Sequence, residues 1–317
     1  MIALLLIFGR VHAEDGAEEA NDLLPIAAGQ PTQPLGYDPL ERTPPEVLER
    51  ARQARELPWG ERVDFISEPW LGQRYLLGPL GEAGGLDDDP VTRYDAFDCL
   101  TFVEEVLALA LSPTPERAHE VRMALRYRDE GISYENRRHF MLSEWIPGTV
   151  AQGWMRDITG DLTGAEWHDK TVTLETWLGW KRRSLFPLSD GRLPVGSMHF
   201  AVLPIEVAEQ ALAQIPEGSL VFTVRALWDH LPIAISHVGV TVPGERPTMR
   251  HASRMGKKVV RDDSLAWYTQ HVQTYVNWPT AGLIVLAPQE YGPTPGHLAS
   301  LRAQEKSATA SEPSSSD

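Results

Sequence analysis

The chain has 317 residues, 42% of them hydrophobic, which is enough for a sizeable core and one or two domains. A formal net charge of −15 leaves no basic footprint for a nucleic-acid binder, and a single cysteine excludes an intramolecular disulfide framework. Glycine and proline, 25 of each, describe a loop-rich protein rather than a helical bundle.

Residues 2–8 are an unbroken apolar run followed by Val11-His12-Ala13 and an acidic stretch, the pattern of an export signal cleaved after Ala13. The run falls far short of the about 20 residues a membrane span needs, so no stable membrane insertion is expected. Lysine and arginine are missing ahead of it, as if the start were truncated. Residues 14–44 are acidic and proline-rich and read as a linker; a single catalytic domain is expected over 45–290, and a disordered Ser- and Pro-rich tail over 291–317. The expected location is therefore outside the cytoplasm, periplasmic or extracellular.

A first helix is expected over 45–55, with proline at its start. The segment 65–80, containing Trp70-Leu71-Gly72-Gln73-Arg74-Tyr75, should pack beside the helix that follows Phe97. Asp87-Asp88-Asp89 lacks the spacing of a calcium loop and reads as solvated. Asp98 is a plausible N-cap for a helix running to Leu111, which puts Cys99 in the first turn. Free N–H groups and the helix dipole there should lower the thiol's pKa. Positions 99, 103, 106, 107 and 110 share one stripe, so the sulfur should face the packed side. Helices are also expected over 116–130 and 204–214, the latter from Ile205, Ala208 and Leu212. The tryptophans at 154, 167, 177 and 180 read as packing.

From Gly218 the period changes to that of strands, at 220–224, 234–242, 248–253 and 281–287. Helices first and strands later describe an α+β fold with an antiparallel sheet. A hairpin centred on Gly244 would set His237 opposite His251, on the face away from Val238, Val240 and Val242; a one-residue slip would separate them. A cysteine hydrolase needs such a pair, one imidazole to take the thiol proton and a neighbour to orient it. His237 would be the base and His251 the orienting group. The bland alternative is two strand histidines bonded to carbonyls. The sharper rival is a zinc site on His237 and His251 with Asp229 or Asp262, weakened by the lack of H-E-x-x-H or a clear third ligand. The expectation is a reaction without metal or cofactor.

Asp98-Cys99-x-Thr101-Phe102-Val103-Glu104, Ser236-His237-Val238-Gly239-Val240 and Arg250-His251-Ala252-Ser253 together resemble the NlpC-type cell-wall peptidases of the papain-like superfamily. More closely, the chain resembles the exported family labelled N-acetylmuramoyl-L-alanine amidase-like. That match takes in Trp70 to Gly78, Tyr134 to Phe140 with Trp145, and Asp157-Ile158-Thr159, and spans roughly residues 60 to 290. The resemblance implies a papain-like core with the cysteine helix packed on an antiparallel sheet, Cys99 as nucleophile, His237 as base and His251 as orienting residue. It implies substrate-side roles for Tyr75, Asp98, Arg138, His139 and Ser236. The substrate class it implies is peptidoglycan or its muropeptides, cut at an amide bond by an amidase or endopeptidase. A wall-binding module without catalysis and an acyltransferase remain alternatives. Two departures stand out: Leu-Thr follows the cysteine where the superfamily has Ser-Gly, and 138 residues separate Cys99 from His237, a long insertion that should reshape the cleft. Muropeptide carboxylates call for cationic partners, with Arg138, Arg250 and Arg254 as candidates.

Overall fold

The computed structural model describes residues 43–128 and 131–289. The expected signal segment, all but the end of the linker and the tail lie outside them. In chain order the helices are α1 (Pro45–Ala54), α2 (Trp59–Ser67), α3 (Cys99–Leu111), α4 (Ala118–Arg126), α5 (Ile146–Ala151), α6 (Leu174–Gly179) and α7 (Leu265–Val272). The strands are β1 (Arg74–Tyr75), β2 (Ala96–Phe97), β3 (Met155–Asp157), β4 (Glu166–Val172), β5 (Gly196–Pro204), β6 (Leu220–Arg225), β7 (Ile235–Val242), β8 (Thr248–Ser253), β9 (Val259–Ser264) and β10 (Thr280–Pro288). The strands form one sheet in the order β2-β1-β9-β8-β7-β6-β10-β5-β4, with β3 also on β10. Every pairing is antiparallel except β1 with β2. The result is a mixed α+β fold.

Alternation along the central strands sends side chains to two cores, one on each face. Val238, Val240, Val242, Phe222, Ala252 and Val260 meet α1, α2 and α3 on one side. Val221, Met249, Leu283 and Val285 meet Leu265, Tyr268 and Val272 of α7 on the other. Helix α3 is buried around its whole circumference from Thr101 to Ala110, which brings Glu104 and Glu105 inside. Charges buried there need partners. Arg122 takes both oxygens of Glu105 at 2.8 and 2.6 Å, Arg126 reaches Glu104 at 2.9 Å, and the Trp145 indole closes the second Glu104 oxygen at 2.9 Å. Trp70 lies against Phe97 and against Phe102 of α3, as its segment was expected to do.

Three expectations need correction. The α-helix expected over 204–214 is absent; the segment makes two short 3-10 turns at Ala208–Gln210 and Leu212–Gln214. The apolar positions 205, 208 and 211, then 212 and 215, are three apart, the 3-10 period rather than 3.6. The helix expected to run to 130 stops at Arg126, where Tyr127 turns extended. Trp167 is 62% exposed and stacks on His199 instead of packing inside, unlike the buried Trp154 and Trp177. Sequence periodicity also overlooked α2, α7, β9 and the β4–β5 hairpin.

Candidate active site

Asp98 caps α3 as a full capping box. Its carboxylate accepts from the Thr101 N–H at 2.8 Å, while the Thr101 hydroxyl accepts from the Asp98 N–H at 3.0 Å. The second Asp98 oxygen accepts from the Gly78 N–H at 3.1 Å and so ties the preceding loop to the helix start. Asp98 thus has a structural role, whatever it contributes to substrate. Cys99 is the first residue of the helix and is half-buried. The N–H groups of Val238, Leu100 and Cys99 itself point at its sulfur. They do not lower its pKa as expected. Burial, and then the neighbouring Asp98 carboxylate, outweigh them and push the thiol up to about 12.

Why Val238 points there follows from the hairpin. Thr241 donates to Ser219 beside β6, so on alternation the N–H groups of Val238 and Val240 face β8. The ladder between β7 and β8 covers only Val240–Arg250, Thr241–Met249 and Val242–Thr248. Beyond Val240 the paired register ends, and Cys99 meets β7 at the mouth of this fork. The loop is 243–247 rather than 243–245, so the register lies two residues from the expected one. An even shift preserves the face. Gly239, not His237, therefore falls opposite His251. A Cβ on Gly239 would lie 2.9 Å from that of His251 and 2.6 Å from the Met249 Cγ.

The two histidines meet diagonally across the fork. His237 Nε2 is 2.6 Å from His251 Nδ1, with the rings edge-on at 81°. His251 is fully buried, and its Nε2 lies 3.0 Å from Asp263 Oδ2. Arg261 holds the other Asp263 oxygen through Nε at 3.1 Å and through Nη2. Burial raises the Asp263 carboxyl, but hydrogen bonds from His251 and Arg261 outweigh it and hold the group below its ordinary value. Burial, reinforced by His251, pulls His237 well below the usual imidazole range. Tyr268 walls the pair, its ring 6.0 Å from His237 and 5.6 Å from His251, its hydroxyl bonded to Thr223 at 2.6 Å. A bulge between Thr223 and Val224 sets Ser236 beside His237 in sequence but outside the ladder; its hydroxyl donates to the Thr223 carbonyl at 3.3 Å.

The remaining expected residues divide. Tyr75 pairs with Phe97, two residues before the cysteine, and Arg254 lies 5.9 Å over its ring. Arg138 closes the end of α4, donating to the carbonyls of Ala124 and Leu125 at 2.6 and 3.0 Å. His139 packs on Tyr134 and Phe186 and meets the Tyr134 carbonyl at 2.7 Å; burial lowers it to about 3. These contacts are structural. Arg250 is buried in a fork with Asp262 at 2.7 and 2.8 Å and a bond to Ser67, so it is not a free carboxylate binder. Asp262 is thereby on the face away from the histidines, which corrects its place in the zinc alternative. Among the described residues no group of three His, Cys, Asp or Glu side chains is arranged to hold a metal ion. Sequence reasoning missed Asp263 and Tyr268, because strand β9 and helix α7 were not read; the adjacent Asp262-Asp263 opposite Arg250-His251 was the available signal.

The structure is similar to that of a Legionella pneumophila protein of family DUF1460, with a TM-score of 0.65 and 22% identity over 78% of this chain and 95% of that one. It is also similar to an N-acetylmuramoyl-L-alanine amidase from Bacteroides uniformis, with a TM-score of 0.59 and 22% identity over 73% and 99%. No curated protein shows significant similarity to the sequence. The family described as AmiA-like, N-acetylmuramoyl-L-alanine amidase-like, matches residues 65–275. With two thirds of its length matched, from before the capped cysteine to past Asp263, the chain belongs to the N-acetylmuramoyl-L-alanine amidase-like family.

Proposed function

We propose that the protein is an exported cysteine amidase that hydrolyses an amide bond in the peptide part of peptidoglycan. The observation that carries this reading is the His237–His251–Asp263 chain on a sheet whose Val238 N–H, next in sequence to His237, reaches the Cys99 sulfur at the mouth of the β7–β8 fork. Cys99 is the nucleophile and His237 the base, in the manner of the NlpC-type enzymes of the papain-like superfamily. With the thiol raised and the imidazole lowered, the resting pair is neutral. Attack therefore couples proton transfer to bond formation: His237 takes the thiol proton as sulfur adds to the amide carbonyl. The N–H groups of Cys99 and Leu100, which the cap does not use and which point at the resting sulfur, pass to the developing oxyanion as the sulfur bonds to carbon. His237 then gives its proton to the leaving amine, which departs to leave a thioester. Water, deprotonated by the same imidazole, cleaves that thioester and restores the thiol. Arg254, over Tyr75, is the cation best placed for a substrate carboxylate.

The test is digestion of purified peptidoglycan and its soluble muropeptides, with products identified by mass spectrometry. Wild type should release a peptide or amino-terminal fragment, and Cys99→Ala should lose at least about 10³-fold in rate. The same fragments from Cys99→Ala at the wild-type rate would remove the nucleophile. Loss of activity with chelator and recovery with zinc would favour the metal alternative.

A further inference from the structure

The proposed base reaches Cys99 only if it presents an unprotonated nitrogen, and nothing in an isolated His–His pair decides which nitrogen that is. Each neutral imidazole carries one proton, so a pair sharing one hydrogen bond has two registers. In one, both protons sit on Nε2; in the other, both sit on Nδ1. The third partner breaks the tie. Asp263 is held in its charged form between His251 and Arg261, and a carboxylate only accepts. His251 must then carry its proton on Nε2 to donate to Asp263 Oδ2. That leaves Nδ1 of His251 as an acceptor, so His237 donates to it from Nε2. Nδ1 of His237 is left without a proton, and among the described residues it has no hydrogen-bond partner.

We propose that Asp263 is a positioning residue that sets the tautomers of both histidines, so that His237 offers an empty Nδ1 to the Cys99 thiol. The proposal deepens the cysteine-amidase reading and rests on it for its catalytic consequence. Arg261 makes the device directional. It approaches the Asp263 oxygen that His251 does not use, cannot give up its charge and cannot accept. Its guanidinium lies 5.5 Å over the Trp267 ring, which helps fix its place. Asp263 and Arg261 therefore act together: one accepts from both sides, the other ensures that no neutral amide can replace it without a penalty.

Asp263→Asn tests this. The amide has one oxygen for two donors. Arg261 can only donate, so it takes the oxygen and the amide NH2 turns to His251. His251 must then accept at Nε2, which moves its proton to Nδ1, and His237 in turn receives at Nε2 and carries its proton on Nδ1. The proposed base is then blocked at Nδ1, the nitrogen the proposal assigns to the thiol. In 15N spectra of histidine-labelled protein, wild type should show both imidazoles protonated at Nε2, and Asp263→Asn should show both protonated at Nδ1. Amide hydrolysis should fall on the order of 10⁴-fold, the loss known for a triad base held in the wrong tautomer. Adding Arg261→Met frees the oxygen for His251, so the double variant should regain the Nε2 tautomers and on the order of tenfold in rate. A general packing defect would not be relieved by a second substitution. If wild type already carries the His237 proton on Nδ1, or if Asp263→Asn keeps the Nε2 tautomers, the proposal is wrong. The wild-type spectrum decides this even if Asp263→Asn fails to fold. The spectra are independent of turnover, so active Cys99→Ala would overturn the amidase reading without touching the tautomer result.

Discussion

Two of the buried polar clusters among the described residues, one behind α3 and one on the far face of the sheet, are completed differently. Behind α3 every carboxylate oxygen of Glu104 and Glu105 meets a donor from Arg122, Arg126, Trp145 or Thr92. Every acceptor in that network is filled; its one unbonded group is the Arg126 Nη2, which can only donate. The His237–His251–Asp263 chain is anchored just as firmly at one end but stops at an imidazole beside a thiol. Filled acceptors make the first cluster scaffold; the open end of the second is what the proposed chemistry uses.

The comparison can be broken most severely at Glu105. Replacing it with alanine leaves the fully buried Arg122 without its carboxylate and should cost about 3–5 kcal/mol in denaturant unfolding. The folded fraction should retain its rate per molecule, because the closed cluster does not touch the reacting groups. A loss below about 1 kcal/mol would show that the closed network does not hold the helix. Gly239→Ala probes the open chain instead. Its new methyl meets Met249 and His251, and should destabilise by about 1–3 kcal/mol while cutting the rate by displacing His251. A variant less stable but equally fast would mean the histidine geometry is not critical. The smallest effect comes from titration. Burial pulls His119 to about 4 and His139 to about 3, against an unfolded value near 6.5. The unfolded chain binds more protons below that value, so stability is full above about pH 6.5 and declines as pH falls toward the folded values. Each histidine contributes up to about 1.4 kcal/mol per pH unit to that decline. A urea midpoint unchanged between pH 7.5 and 5.5 would contradict the burial of these rings.

Much of the site was legible because its parts follow local rules. The Asp98 cap and the helix from Cys99 to Leu111 came from one residue type before an apolar run. The shared face of His237 and His251 survived a register error because strand faces repeat every two residues. The thiol's electrostatics were not legible in the same way. A helix start argues for a low pKa, but the burial that reverses it depends on β7 lying against the sulfur, which no local pattern encodes. The contacts of Arg138 and Arg250 were hidden for a similar reason: only the folded chain shows that one closes a helix and the other a buried ion pair.

The divergence of β7 from β8 also sets an order of assembly. His237 and His251 are 14 residues apart, and His251 and Asp263 are 12 apart, so the proton chain is joined by two short hairpins. Cys99 must come from 138 residues upstream of His237. Closing that longer loop costs about 2 kcal/mol more in chain entropy than closing the histidine hairpin. His237, His251 and Asp263 therefore belong to a unit that can form locally, while Cys99 joins only when the sheet and α3 dock. On the reading proposed above, a refolding chain would form its His–His–Asp chain before Cys99 arrives, so amide hydrolysis would appear only with the finished core.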